Sequence, residues 1–359
     1  MHTNDQEPEI GILYNRHKHS SQLAPLTKHL QNLARSHHMK FKLFSIRSLD
    51  LEAGTAEGIQ ITESFIRETT TPLPPVLYNY AVHVKPSSID TMRQLRLSHS
   101  PLVINPINRF HQYYLFDLLA SRQDFADQLV PHLEFHPDRV TEELKNRGKL
   151  LLLPQKGLYH RRGVLVELVK TPRGSSKAML TVGRNRHRHS LDTLPRVLSF
   201  MLKRSPSFCL AVGNLLTHKG VPVEVRAYAQ KQASGRWTII ETLHKQELFA
   251  RFGTPPQSSA LSDILPRSVI DDIKRNAMKL CSHLDLFMPQ IGSLTFDYLL
   301  TPDGKPFLAY TGGIEQDSFL SALPSQESWD KWVTGTVEYG LHVWRTGGQT
   351  TDDLKQADD

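Results

Sequence analysis

The chain has 359 residues, a net charge of +7 from 43 lysines and arginines against 36 aspartates and glutamates, and a hydrophobic fraction of 39%. This length allows about two or three domains with their own cores. No run of about eighteen apolar residues occurs, so neither a membrane span nor a membrane partner is expected. The first residues lack a basic segment followed by an apolar one, which predicts no secretory signal and a cytoplasmic location. The two cysteines, Cys209 and Cys281, are typical of buried thiols rather than of a disulfide or a zinc site.

The first third of the sequence predicts a small α/β domain. An apolar strand at residues 9–14, an amphipathic helix at 23–36 and an alternating strand at 39–46 form a βαβ beginning, which favours a parallel sheet. The elements that follow are strands at 58–65, 76–80 and 102–105, a helix at 87–97, and a linker or rigid turn at 69–75. We therefore place the end of this domain near residue 105.

The remaining two thirds of the sequence predict a larger domain rich in antiparallel strands. Helices are expected at 108–122, 137–147, 193–203, 267–285 and 329–344. Strands are expected at 149–153, 163–169, 177–182, 208–212, 221–230 and 235–242, with a last hairpin around the turn at 301–304. Residues 250–266 predict a mobile loop, and residues 346–359 predict a frayed, flexible tail.

Two polar stretches are candidates for anion binding. The segment 154–163 carries Lys156, Gly157, Arg161 and Gly163 between two strands, and backbone N–H groups with basic side chains can cradle a phosphate there. An ordinary surface hairpin is the alternative, and spacing by itself favours it. The dense basic run at 184–189 is interpreted as a solvated loop, with a phosphate-binding loop as the alternative.

Three charged residues inside predicted strands are candidates for a binding site. Glu224 and Arg226 stand two apart on one strand face, where they form a binding surface or neutralise each other on an exposed sheet. Asp297 is a lone carboxylate in an otherwise apolar strand, and its burial is costly unless a cation or hydrogen-bond donors accompany it. It is therefore the strongest candidate for a metal or nucleotide ligand.

The order of these pieces resembles the ATP-grasp fold, and more narrowly the endospore coat-associated YheC/YheD-like family of spore-forming Bacillota. The segments that carry the resemblance are Asn-Pro-Ile-Asn-Arg-Phe at 105–110, Val-Glu-Val-Arg at 223–226 with Gly-Arg-Trp at 235–237, Gly-Ser-Leu-Thr-Phe-Asp at 292–297 with Asp-Gly-Lys at 303–305, and the helix at 329–339. The resemblance implies an α/β (α+β) fold with a pre-ATP-grasp domain over residues 1–105 and an ATP-grasp-like domain over residues 106–345. The latter would comprise a lid subdomain at about 137–212 and a sheet subdomain at about 213–345.

The same resemblance implies ATP and Mg²⁺ as cofactors, and ligation of a carboxylate to an amine through an acyl phosphate. In that chemistry Arg226 is the catalytic residue that stabilises the transferring group, and Asp297 is the metal ligand. The residues that the resemblance implies for cofactor binding are Lys156, Gly157, Arg161, Gly163 and Glu224.

Several positions depart from the family pattern. Leu153 stands where a lysine would reach the nucleotide phosphates, and Tyr310 and Gly312 stand where a carboxylate and a carboxamide would hold Mg²⁺. Glu315 or Asp317, from the turn that follows, would have to assist the lone carboxylate. The joint loss of these groups predicts a degenerate Mg-ATP site.

Three functions are consistent with the sequence. The first is an ATP-grasp-fold protein with a degenerate site and a structural or binding role in sporulation, with a nucleotide or spore coat proteins as partners and a spore-associated location. The second is an active ATP-dependent carboxylate-amine ligase in which the loop arginines and His160 replace the usual lysine. The third is a basic nucleic-acid-binding protein, which is disfavoured because no basic helix and no aromatic-studded strand pair is present.

Overall fold

A computed structural model describes residues 7–15, 20–81, 83, 85–98, 100–155, 163–182, 185–202, 207–245, 261–313 and 325–347. The predicted loop residues Lys156, Gly157, His160 and Arg161 lie outside these ranges, as do Glu315 and Asp317 and the predicted tail beyond residue 347. Within the described ranges, no helix has both the length and the apolar character needed to cross a membrane.

The N-terminal part forms a seven-stranded sheet whose centre is parallel. β1 (Glu9–Leu13) pairs in parallel with β2 (Lys40–Phe44) and β6 (Val76–Asn79), which confirms the predicted βαβ beginning. The other elements of this part are α1 (Ser20–His37), β3 (Leu49–Asp50), β4 (Thr55–Ile61), β5 (Ile66–Pro72), α2 (Pro86–Leu97) and β7 (Leu102–Ile104). The predicted linker at 69–75 is wrong over most of its length, because β5 extends through the three threonines to Pro72. A proline is tolerated on such an outer strand, where its missing N–H breaks no ladder bond.

The central part forms a six-stranded sheet in the order β12-β11-β10-β9-β13-β8. The elements are α3 (Gln112–Ala120), β8 (His132–Glu134), α4 (Val140–Arg147), β9 (Lys149–Pro154), β10 (Val164–Lys170), β11 (Ser176–Val182), β12 (Asn185–Ser190), α5 (Leu194–Leu202) and β13 (Ser207–Ala211). β9 and β10 pair antiparallel, which confirms the predicted hairpin around the polar loop. The basic run is exposed as predicted, but it forms the edge strand β12 rather than a loop.

The C-terminal part forms a four-stranded antiparallel sheet in the order β17-β16-β18-β19. The elements are β14 (Thr217–His218), β15 (Val221–Pro222), β16 (Glu224–Lys231), β17 (Trp237–Lys245), α6 (Arg267–Phe287), β18 (Ser293–Leu300), β19 (Pro306–Gly312) and α7 (Gln326–Thr346). α6 covers one sheet face through Ala277 and Leu280, which pack with Val225 and Ala227. α7 covers part of the other face, where Trp332 meets Tyr228 edge-to-face.

α7 also completes the core of the N-terminal sheet. Its residues Trp332, Val333 and Val337 are fully buried in one apolar cluster with Ile10 and Tyr78. α7 therefore joins the N-terminal sheet to the C-terminal sheet.

Buried hydrogen bonds also connect the same two sheets. The backbone N–H of Gly292 donates to Asn105 Oδ1 at 2.8 Å, and Asn105 Nδ2 donates to Ser293 Oγ at 2.9 Å. A Cβ on Gly292 would meet the hydroxyl oxygen of Tyr78 at 2.6 Å, so only a glycine permits this close approach.

Candidate functional site

Four charged side chains from three neighbouring strands meet on one face of the C-terminal sheet. Strand register places Arg226 of β16 opposite Asp297 of β18, and Glu224 of β16 opposite Lys245 of β17. Because side chains alternate along a strand, these four residues project from the same face of the sheet as Tyr228. They lie next to the place where Tyr228 contacts α7. We call this group, formed by Glu224, Arg226, Lys245 and Asp297, the charge network.

The charge network is closed by short, charge-assisted hydrogen bonds. Arg226 holds Asp297 with two parallel bonds, from Nε to Oδ1 at 2.6 Å and from Nη2 to Oδ2 at 2.7 Å. Lys245 Nζ donates to Asp297 Oδ2 at 2.9 Å and to Glu224 Oε1 at 2.8 Å. The planar guanidinium fork matches a carboxylate, and the ammonium bridges the two carboxylates as a point charge.

All four side chains are shielded from water. The exposed fraction is 3% for both Arg226 and Asp297, 0% for Glu224 and 13% for Lys245. Burial by itself raises the pKa of Asp297, but Arg226 and then Lys245 outweigh burial and lower that pKa to about 2. Burial and the charge of Arg226 lower the pKa of Lys245, and the carboxylates of Asp297 and Glu224 reverse this effect, so the pKa is raised. The pKa shifts of Asp297 and Lys245 thus both favour the charged forms of these two side chains.

The donor set that the described residues form around Asp297 does not fit Mg²⁺. This ion takes an octahedral set of oxygen ligands, whereas both oxygens of Asp297 already accept bonds from cationic side chains. On β19, Tyr310 stands opposite Asp297, and the strand ends at Gly312. Within the ranges that the structure describes, no group of three or more histidines, cysteines, aspartates and glutamates is arranged to hold a metal ion. A metal role for Asp297 stays a prediction.

The structure brings together three of the residues predicted for the site, Glu224, Arg226 and Asp297. Gly163 is a buried residue that directly precedes β10, and the role predicted for it in cofactor binding is untested. Leu153, at the position that the resemblance assigns to a phosphate-binding lysine, packs in the apolar core with Phe208 opposite it.

Sequence reasoning missed Lys245. The predicted strand stopped at residue 242, whereas β17 continues to Lys245. The hairpin gave only part of the signal. Counting back along both strands from the pair of Lys231 with Trp237 brings His244 opposite Glu224, and the register shift between Tyr228 and Ala229 brings Lys245 there instead.

Two other lysines are also buried. Lys42, on β2, has an exposed fraction of 0% and donates to the carbonyl of Ala56 and to the carbonyl and hydroxyl of Thr71. Lys231, on β16, pairs with Asp285 at 2.6 Å. Neither lysine bridges two carboxylates, which distinguishes both from Lys245.

A second polar region lies at the carboxyl ends of the N-terminal strands, where ligands commonly bind in open α/β sheets. Arg109 donates to the carbonyl of His83 at 3.3 Å, and Asn108 donates to the carbonyl of Ala81. Burial lowers the pKa of His83 to about 4, so this imidazole is neutral at physiological pH. The region is tied to the C-terminal sheet, because Gly313 N donates to the carbonyl of Asn108 at 3.2 Å.

Comparisons with known proteins show the fold. No family model and no curated protein matches the chain. The chain is similar to the solved structure of D-alanyl-alanine synthetase A from Vibrio cholerae, with 11% identity and a TM-score of 0.52 over 92% of this chain and 98% of that one. It is also similar to the D-cycloserine synthetase DcsG, with 11% identity and a TM-score of 0.53 over 94% of this chain and 99% of that one.

The chain has the ATP-grasp fold, as the sequence resemblance implied. The architecture is mixed α/β, and its similarity to these two structures extends over most of the chain. The narrower resemblance to the endospore coat-associated family stays a prediction, as do the domain boundaries at residues 105 and 345.

Proposed function

We propose that this chain is an ATP-grasp-fold protein whose Mg-ATP site is degenerate, and that it acts by binding rather than by ligation. The observation that carries the proposal is the closed charge network. Asp297, the carboxylate expected to hold the metal, is bonded to both Arg226 and Lys245. A metal ion would have to displace a cation from a buried pair, and breaking such a pair costs about 3–5 kcal/mol.

The neighbouring positions support the same proposal. Leu153 is a core residue, and a leucine carries no charge for a phosphate. Tyr310 and Gly312 supply no carboxylate or carboxamide to a metal on β19. Together these departures remove the lysine expected at position 153 and two of the expected metal ligands.

The biological setting that we propose is the one implied by the sequence resemblance, a spore-associated role with coat proteins as partners. Its support is the order of motifs from residue 105 to residue 339. A fluorescent fusion followed through spore formation tests it. We expect the signal to concentrate at the developing spore, and a uniform cytoplasmic signal throughout would contradict this role.

One observation favours the alternative function, an active ligase. Arg226 and Lys245 place two cations side by side next to the β18–β19 hairpin, and cations stabilise the charge of a transferring phosphoryl group. Under this hypothesis, Asp297 would release Arg226 or Lys245 when nucleotide and metal bind.

A thermal-shift titration separates the two functions. A ligand that binds the native state raises the melting temperature, so the chain is titrated with ATP plus MgCl₂ and with ATP plus EDTA. We expect no shift that depends on Mg²⁺. A shift that needs Mg²⁺ and disappears in Asp297→Asn, together with ADP release when amino acids are added, would overturn the degenerate site in favour of the ligase.

A further inference from the structure

Lys245 occupies a position that has the chemistry of a cation site. Its Nζ lies 2.8 Å from Glu224 Oε1 and 2.9 Å from Asp297 Oδ2, so one positive charge bridges two buried carboxylates from different strands. Hard divalent cations bind in proteins through carboxylate oxygens of this kind. The position is thus filled by a cation that is covalently part of the chain.

The charges around this position explain why a cation is required there. Among the side chains that the structure describes at this position, losing Lys245 would leave one cation, Arg226, beside the carboxylates of Asp297 and Glu224, whose exposed fractions are 3% or less. An uncompensated charge at such burial is costly, so the space would attract a cation from solution or the carboxylates would take up a proton.

The charge network also holds the ammonium firmly. Asp297 is itself fixed by two bonds from Arg226, and Glu224 lies directly opposite Lys245 across the strand pair. The strand register therefore positions the ammonium between the carboxylates. A free ion would lose translational entropy on binding there, and a side chain that is part of the strand does not.

We propose that Lys245 is a tethered replacement for a metal ion, which makes this site independent of divalent cations. The inference rests on the proposed function and deepens it, because it names the group that substitutes for the metal. It predicts that the wild-type network takes up no divalent ion and that shortening Lys245 opens a site bounded by Glu224 and Asp297.

The experiment measures Mn²⁺ binding by electron paramagnetic resonance, with MnCl₂ alone as the probe and no nucleotide. Lys245→Ala is expected to bind Mn²⁺ at least about tenfold more tightly than the wild type, and to lose that binding when Asp297→Asn is added. Its melting temperature, lower than that of the wild type, should rise with MnCl₂ and with methylammonium chloride, because both cations fill the vacated position.

Two further variants keep the test decisive. Lys245→Gln serves if the alanine variant does not fold, because the carboxamide maintains bulk and its oxygen is itself a metal ligand. Lys231→Ala is the matched control, since Lys231 pairs with one carboxylate, Asp285, and its removal creates no two-carboxylate site.

Two outcomes would overturn the inference. One is Mn²⁺ binding by the wild type that Asp297→Asn abolishes. The other is a folded Lys245→Ala or Lys245→Gln that binds Mn²⁺ no more tightly than the wild type. If the second outcome occurs while the wild type shows no Mg-ATP shift, the tethered-cation inference fails and the proposed function stands.

Discussion

Lys42 and Lys245 are both buried in β-sheets of this protein, yet they are held by opposite kinds of acceptor. Lys42 donates to the uncharged oxygens of Ala56 and Thr71, whereas Lys245 donates to the carboxylates of Glu224 and Asp297. Burial lowers the pKa of Lys42, and the charge of Glu9 offsets this only in part. The pKa of Lys245 is raised, although burial and Arg226 oppose this.

The difference shows that hydrogen bonds by themselves do not compensate a buried charge. The uncharged oxygens orient the ammonium of Lys42, but their hydrogen bonds contribute less free energy than the charged side chain loses in hydration when it is buried. The two carboxylates at Lys245 supply a full counter-charge, so the ammonium there is a permanent cation. The N-terminal sheet therefore surrounds its lysine with uncharged acceptors, and the C-terminal sheet surrounds its lysine with carboxylates.

The largest expected loss of stability comes from breaking the charge network at Asp297. Asp297→Asn removes the carboxylate shared by Arg226 and Lys245 and leaves two cations with Glu224 as the remaining carboxylate of the network. We expect the free energy of unfolding in urea to fall by about 3–5 kcal/mol, the cost of an uncompensated buried charge. A loss below about 1 kcal/mol would show that the network contributes no more than an exposed pair.

Acid should remove the same stabilisation without a mutation. The pKa of Asp297 is lowered in the folded protein, from 3.8 to about 2, so its contribution is complete above about pH 4 and is lost as the pH falls toward 2. The wild type should lose about 2 kcal/mol more than Asp297→Asn over this range. Parallel unfolding titrations of the two proteins measure the difference, and equal pH slopes would contradict the assignment.

A smaller loss of stability is expected at Lys42, whose acceptors are uncharged oxygens. Lys42→Met keeps the length and apolar stem of the side chain but leaves the oxygens of Ala56 and Thr71 with fewer donors. We expect a loss of about 1 kcal/mol in the urea experiment, because an apolar isostere partly offsets the lost bonds. A loss as large as that of Asp297→Asn would mean that the acceptor's charge is not what separates the two lysines.

The smallest effect belongs to an exposed ion pair of similar short distance. Lys331 Nζ lies 2.7 Å from Glu327 Oε1 on the surface of α7. Lys331→Met is expected to leave the urea midpoint unchanged within error, because solvent screens such pairs. A shift comparable with that of Lys42→Met would show that burial matters less than distance.

The sequence predicted which residues belong to the site better than it predicted how those residues contact one another. Glu224, Arg226 and Asp297 were recognised because charges inside apolar strands stand out. Their mutual contact depends on which strands are neighbours, and β16 and β18 are separated by some sixty residues along the chain. Lys245 was missed because residue propensities locate the ends of strands poorly. The register of β16 with β17, which brings Lys245 opposite Glu224, is known only once the two strands are paired.

The fold was predictable where local patterns were strong. The parallel start of the first sheet and the antiparallel last sheet both follow from periodicity and turn residues. Two errors, at β5 and β12, have opposite causes. Prolines suggested a break where Pro72 ends an outer strand, and charges suggested a loop where an edge strand carries Arg186 and Arg188, which also discourage pairing with another chain.

The position of α7 has a consequence for how the chain is made. Its residues Trp332 and Val337 fill the core beside Ile10 and Tyr78, so β1 and β6 are synthesised before the helix that completes their core. While the ribosome is still elongating, this apolar surface is open to solvent and to chaperones that bind such surfaces. Nascent chains stopped before residue 326 should therefore stay protease-sensitive in their first 105 residues.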